Sequence, residues 1–560
     1  MDRGVLIGLD TVGVQDYIFR TNELKQIVGA SYLVDCATRQ WLVDAISNLR
    51  HNVRDMNDAA QPFTGDRIED GALDAEVFMT GGGNATIAFR DADQGRDFVY
   101  RLTKRLIIQA PGLQVAAAMV DFDMQNDAYG GPGGAAARLA KALDQAKMNL
   151  PRRAPQLGLS VTLQCDFTHL PAVAVMNGQP VSAEVLAKRE AAPLAGARLK
   201  KLLTRIPEAE WEQHGITPDF PLQLDQLGPT EGEKSLLAVV HTDGNGMGKR
   251  FRAITEEKQE VGQNRELVEQ LCALSISVQV ASENALVETI RAVLGNIQRD
   301  PDNDMLYLGD VIPLMTKMLP LRPILYGGDD ATFLCDGGIG LSLAAHYLEQ
   351  VSTAPLADGK KLYSRAGVAI VKAHYPFARA YHLAEELAAS AKQFGKQLLE
   401  ELDKEKREVP EGLNLIDWHM STSGMVRSLR EIRDSEYTCG AGALNMRPLY
   451  LGQLPAGNRR VGDEWRSWSA FEEILYGFDD WRDKRNKVKA LRGALIRGGE
   501  AVKNFVSLNE KLPSTKALVD VGYRSSGWRG SRCVYFDVVE MVDLFVPLEE
   551  KENADLPVEN

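Results

Sequence analysis

Two glycine-rich turns constrain this chain more than any other feature. Gly81-Gly82-Gly83-Asn84 and Gly327-Gly328-Asp329-Asp330 each lie between two short apolar runs, the pattern of a β-hairpin. Around the second turn, residues 236–241 predict a strand that stops at Thr242-Asp243-Gly244-Asn245-Gly246, and a long helical pattern follows to about Ile297. Residues 320–326 and 331–335 predict the hairpin strands, helix returns over 340–351, and 363–372 predicts a fourth strand. Pro376, well placed for a first helical turn, opens a helix that passes Lys392. The order is β-α-β-β-α-β, the ferredoxin-like split arrangement. The first 125 residues repeat it: strand 5–9, helical segments 14–49, hairpin strands 76–79 and 85–89, helix 95–108 and strand 114–122. The expectation is an α/β (α+β) fold holding two related ferredoxin-like units. One turn carries two acids where the other carries Gly83-Asn84.

This reading divides the chain into a first unit at 1–125, a linker module at 126–235, a second, acid-bearing unit at 236–405 and a mostly helical region at 406–560. Residues 130–134 mark a turn before a helix, and 150–235 reads as irregular and richer in Pro. Residues 535–545 read as a last strand or helix, and the acidic tail from Glu549 as disordered. A length of 560 residues already demands more than one core.

A net charge of −13 argues against a general nucleic-acid coat. It permits a small site where cations bridge carboxylates and a triphosphate. The six cysteines are scattered, with no C-x-x-C pair, as in a cytosolic protein with reduced thiols. Cys165 and His169 stand alone, so no zinc is expected. The N-terminal apolar run is too short for a signal peptide, and no stretch approaches the roughly 20 apolar residues of a membrane span. The expected location is cytoplasmic.

Phosphoryl transfer needs positioning and charge neutralisation, commonly from two divalent ions about 4 Å apart. Asp243 ends the first strand of the second unit, and Asp329 and Asp330 sit in the hairpin beside that strand. The three are the candidate catalytic and metal-binding residues, for two Mg2+ or Mn2+ ions. Gly244, Gly246 and Gly248 let backbone amides approach a triphosphate, as Gly327 and Gly328 do at the hairpin edge. Asn245 shares the first of these turns and joins the candidate nucleotide-binding set. Lys249 and Arg250 early in the next helix, and Lys392 and Lys396 in the later one, are positioned to counter phosphate charge. Each motif alone also reads as an ordinary turn, and each lysine as a solvated helix face. The combination at matching strand ends of one fold favours the site.

These residues resemble the polymerase/cyclase large subunit of type III CRISPR effector complexes, and more distantly the GGDEF diguanylate cyclases. Val14-Gln15-Asp16-Tyr17-Ile18-Phe19 with Gly29-Ala30-Ser31 looks like the opening of that family's first palm domain. Asp243-Gly-Asn-Gly-Met-Gly-Lys249 looks like its second-palm metal motif. Ser364-Arg-Ala-Gly-Val-Ala-Ile370, then His374, Pro376 and Ala391-Lys392, looks like the strand and helix that close that domain. The resemblance implies two palm domains and a nucleotide cyclase that joins ATP or another NTP, 3′ to 5′, into a cyclic oligonucleotide messenger for prokaryotic antiviral defence. It implies that Asp243, Asp329 and Asp330 hold the metals, that Gly327 and Gly328 pack near the nucleotide and that Lys392 contacts the triphosphate. The first palm would be an acceptor platform or a structural half.

Three departures stand out. Asn245 sits where many relatives have a second Asp, no segment of this sequence reads as a nuclease domain with a His-Asp pair, and no zinc module is expected between the palms. The expectation is therefore a stand-alone relative. An activating RNA, a partner protein and a homo-oligomer all stay open. Two alternatives remain: a nucleotide-binding sensor or scaffold that does not turn over, and a subunit of an RNA-guided effector complex. The second draws on the basic segment 481–497, with Arg482, Lys484, Arg485, Lys487, Lys489 and Arg492. The segment 524–532 around Trp528 shares the ambiguity between a solvated face and a contact surface. Trp418-His419 and Ser421-Thr422-Ser423 read as a packed aromatic and a loop, and His241 as a strand-end residue rather than a ligand.

Overall fold

Alternation of apolar side chains sets the first sheet. In β1 (Val5–Val12), Val5, Ile7 and Leu9 enter the main core while Leu6 enters a second, smaller one on the other face. The computed structural model describes residues 4–52, 65–150, 161–227, 236–302, 304–309, 311–421, 427–455, 463–481, 484–518 and 522–548. β2 (Ala75–Gly81), β3 (Asn84–Phe89) and β4 (Gln114–Asp121) complete the sheet in the antiparallel order β2-β3-β1-β4. A two-residue strand, His51–Asn52, adds in parallel outside β2. Two helices of this unit are α1 (Leu24–Thr38) and α2 (Ala92–Gln109). A third, α3 (Ala135–Asn149), lays Leu139 and Leu143 against Gly8 on the other face of β1.

The second unit repeats the order. β5 (Leu236–Gly244), β6 (Leu321–Leu325), β7 (Ala331–Asp336) and β8 (Ser364–Lys372) run β6-β7-β5-β8, again antiparallel. The fold class is the mixed α/β arrangement expected, with both hairpins where the glycine turns put them.

Four expectations need correction. Residues 150–235 are not irregular throughout: among the described residues they hold a small hairpin, Ala174–Met176 with Gln179–Val181, and the 21-residue α4 (Ala183–Leu203), which packs against α1. Pro193 inside α4 reads as a helix breaker and hid it. The long helical pattern after Asp243 divides into α5 (Met247–Glu257) and the 32-residue α6 (Asn264–Gly295). Between α6 and β6 lies a small three-stranded sheet that the periodicity did not show: Ile297–Arg299, Leu306–Leu308 and Ile312–Pro313.

The fourth correction concerns the region after Glu408. There β9 (Asn414–Met420) pairs in parallel with β8, and β10 (Leu449–Leu451) extends the sheet to six strands. β9 is buried along nearly all its length, so it shows no polar–apolar alternation, and Asp417 and His419 interrupt its apolar run. Asp417 is tolerated there because Arg433 donates to both carboxylate oxygens at 2.6 Å. Trp418 is the packed aromatic expected, and the structure places it with His419 in a core strand that ends at Met420. Thr422 and Ser423, Arg482 and the tail from Glu549 lie outside the described residues.

α7 (Gly340–Val351) and α8 (Phe377–Lys404) pack on the second sheet. Near the C-terminus, the basic segment forms α9 (Arg485–Arg497), and Phe536–Met541 is helical. One continuous apolar cluster runs from Val5 through both sheets to Phe545. No helix among the described residues is long and apolar enough to cross a membrane.

Candidate metal and nucleotide site

Strand register brings the acids together. Thr242 of β5 faces Ala331 of β7, so the same register continued by one residue sets the turn residue Asp330 across from Asp243. Carboxylate oxygens of Asp243, Asp329 and Asp330 all fall within 4.8 Å of one another. Asp329 can come this close because Gly244 has no side chain: a Cβ there would lie 2.8 Å from the Asp329 Cβ.

Burial raises the Asp329 carboxyl above the ordinary range. Asp330 is raised by burial, by Asp329 and by Glu385 of α8. Asp330 opens to solvent at the rim of a cavity. Its affinity for a proton is therefore raised by lost hydration first and by two neighbouring acids besides. Three hard oxygen donors that repel one another suit a divalent cation, and the residues present fit Mg2+ or Mn2+.

Arg365 faces Asp243 across the β5–β8 ladder and forms an ion pair with its carboxylate. The guanidinium also donates from Nη1 to the Asn245 side-chain oxygen at 2.9 Å and to the Gly244 carbonyl at 3.3 Å. Arg365 is buried, and burial pushes its pKa down to about 10, which leaves it cationic at neutral pH. The Asn245 amide nitrogen donates to the Leu413 carbonyl at 3.1 Å, so both ends of that side chain are engaged within the protein.

Gly246 starts α5 without a side-chain cap, three residues after Asp243, and the exposed Gly248 and Lys249 follow in its first turn. A helix N-terminus, which favours anions, thus begins three residues beyond Asp243. Lys392 of α8 has its pKa lowered by Arg365, by burial and by Lys249, so it lies within electrostatic reach of both cations. Lys396, one turn further, is 78% exposed and pairs with Glu400 at 3.7 Å, so it is not brought to this group. Arg250 is held elsewhere, with Nε donating to Asp358 at 2.7 Å and Nη1 to the Lys361 carbonyl at 3.0 Å. His241 is buried and stays neutral, its pKa pushed to about 4 by burial and by Arg365.

A cavity of ≈ 880 Å³ lies between the two hairpins. Gly327, Gly328, Asp329 and Asp330 line one side, with Met247 and Gly248. Thr80, Gly81, Gly82, Asn84 and Thr86 of the first unit line the other, and Ser275 and Gln279 of α6 join them.

The two units share a register that the turn motifs alone do not reveal. Ala85 faces Leu9 as Ala331 faces Thr242, so Asp10 occupies in the first sheet the place of Asp243 in the second. Each acid is followed three residues later by a left-handed glycine at a helix start, Gly13 and Gly246. The repeated Asp-x-x-Gly after an apolar strand was the available signal. Asp10 is ion-paired with Lys147 of α3. At the place of Asp329 the opposite turn has no room for a side chain: Gly83 has φ +80°, and a Cβ there would lie 2.2 Å from Thr11 Oγ1. Thr11 against Gly83 inverts the arrangement of Gly244 against Asp329. Arg365, Glu385 and Asp10 were all missed as site residues.

Among solved structures, the chain is similar to the Csm1–Csm4 cassette in complex with pppApApA, at 14% identity and TM-score 0.49, covering 97% of this chain and 69% of that chain. It is also similar to the cassette in complex with cA4, at 13% identity and TM-score 0.47, covering 97% and 70%. Csm1 in T. onnurineus matches at 15% identity and TM-score 0.43, covering 97% and 70%. The structural neighbours of this chain are thus structures of Csm1, alone or in its cassette with Csm4. No protein-family profile and no curated protein matches the chain.

Proposed function

We propose that the chain is a metal-dependent nucleotidyltransferase of the cyclase type, which joins nucleoside triphosphates into a cyclic oligonucleotide and releases pyrophosphate. The observation that carries this reading is the convergence of Asp243, Asp329 and Asp330 beside a cavity whose far side is a second glycine hairpin. Two Mg2+ or Mn2+ ions bound by these acids would activate the attacking hydroxyl and offset charge on the leaving group. The chain's own part is positional: the β5 end and the hairpin turn fix the acids, Arg365 orients Asp243, and Lys249 and Lys392 meet the phosphates. A cyclic product, ATP as first substrate and a role in antiviral signalling rest on the motif resemblance. In this reading residues 236–405 form the transferring palm and 1–125 the acceptor palm, linked through 126–235 and braced by 406–560.

The test is incubation of the purified protein with each NTP and Mg2+ or Mn2+, with products resolved by mass spectrometry. An oligonucleotide that disappears in Asp329→Ala/Asp330→Ala, with the circular dichroism spectrum unchanged, supports the transferase. Full activity in the double variant refutes the site. A second reading, a nucleotide-binding sensor without turnover, is favoured by the Arg365 ion pair, which already balances one of the three acids. Nucleotide binding without product, in the presence of candidate RNAs and partner proteins as well as in their absence, selects it.

A further inference from the structure

A second cavity, of ≈ 450 Å³, lies behind β6, between α4 and the segment 219–226. Pro193, Gly196, Phe220, Met318 and Arg322 are among its walls. Arg322, the second residue of β6, is 1% exposed. Among the described residues its Nη1 makes one long hydrogen bond, 3.5 Å to the Phe220 carbonyl, and its Nε and Nη2 have no hydrogen-bond partner. Asp219, the acid on the same wall, is paired instead with Lys200 at 2.9 Å and accepts from the Phe220 N–H at 2.9 Å. Other buried arginines of this fold have their acids: Arg447 pairs with Asp537, and Arg189 with Glu23 at 2.7 Å. Burial pushes the Arg322 pKa down to about 10 against the pull of Tyr326 and Asp219, and Cζ lies 5.6 Å from the centre of the Phe220 ring. The side chain is thus a cation at neutral pH that no carboxylate among the described residues hydrogen-bonds. Such a group is strongly unfavourable unless an anion joins it.

We propose that this cavity binds a compact oxyanion, a carboxylate or a phosphate, held by Arg322 with Lys200 at the rim. Nε and Nη2 form the side of the guanidinium that meets two oxygens of one oxyanion at once. Pro193, Phe220 and Met318 offer an apolar wall to a short carbon skeleton. The site stands on the side chains around Arg322 and does not involve the acid cluster.

The experiment is isothermal titration of the full chain in a buffer free of phosphate and carboxylates, with inorganic phosphate in one arm and succinate in the other. Saturable binding is expected in at least one arm, weakened about tenfold or more by Arg322→Met and unchanged by Asp329→Ala/Asp330→Ala. Gly196→Leu is the second variant. A Cβ at Gly196 meets nothing within 4 Å, so the larger side chain has free space beside the cavity and leaves Arg322 in place. Tighter phosphate binding assigns a phosphate ligand and tighter succinate binding a carboxylate. No saturable binding in either arm, or binding that both cavity variants retain, overturns the site.

Discussion

Asp329 approaches Asp243 only because β5 ends in a glycine, and that closeness makes Gly244 a position of function more than of stability. A Cβ at Gly244 would lie 2.8 Å from the Asp329 Cβ and 3.2 Å from Met247 Cγ, so Gly244→Ala must displace the hairpin acid. The expected outcome is Mn2+ affinity reduced by about tenfold or more, with a melting temperature near that of the parent. Calorimetric titration and a thermal scan on the same sample check both halves. The acids also predict a pH dependence. Burial and neighbouring carboxylates raise Asp329 and Asp330, so protons compete with a metal at higher pH than they would at isolated aspartates. Mn2+ affinity should therefore rise with pH beyond the usual carboxylate range and level off only above it. An affinity already constant from pH 5 upward would contradict the shared environment of the pair.

Asp336 shows the same physics at the level of an element. It ends β7, is buried, and accepts from the Gly338 N–H at 2.8 Å at the turn into α7. Burial pushes its pKa from 3.8 up to about 6, so the folded state binds a proton more readily than the unfolded chain. Its contribution to stability, on the order of 3 kcal/mol, is fully present below about pH 4 and is lost as pH rises through about 6. Asp336→Asn keeps an acceptor without the charge. Urea unfolding should find the variant more stable than the parent at pH 7 and the two converging near pH 4. How far such elements could be read in advance depended on how local their signals were. β5 to β8 announce themselves by apolar runs between glycine turns, and the acids sit in those turns. α4 was hidden by Pro193, and β9 by Asp417 and His419, whose partners Arg433 and the surrounding core come from elsewhere in the chain. Arg365 was visible as a residue but not as a clamp, because only the β5–β8 register places it opposite Asp243.

The whole molecule joins two copies of one sheet through a single apolar core and lets their hairpins face each other across one cavity. The copies are not equivalent. The second presents two acids in its turn, whereas the first has Gly83 with φ +80° pressed against Thr11, and its Asp10 is neutralised by Lys147. Such asymmetry suits a reaction with one activated partner and one that is only positioned. The acid side would hold the triphosphate being cleaved, and the glycine side would hold the nucleotide whose hydroxyl attacks. Thr86 tests that division: it lies on β3, is half-buried, and lines the cavity from the first unit. Thr86→Trp fills space there and leaves all three acids in place. Product formation should fall by about a hundredfold or more through loss of the positioned partner. Mn2+ binding should stay within about twofold of the parent, since no ligand has changed. Parallel metal titration and mass-spectrometric product assays separate the two. Unchanged turnover would show that the attacking nucleotide does not sit against the first hairpin, and equal loss of metal binding would show that the variant had disturbed the acids instead.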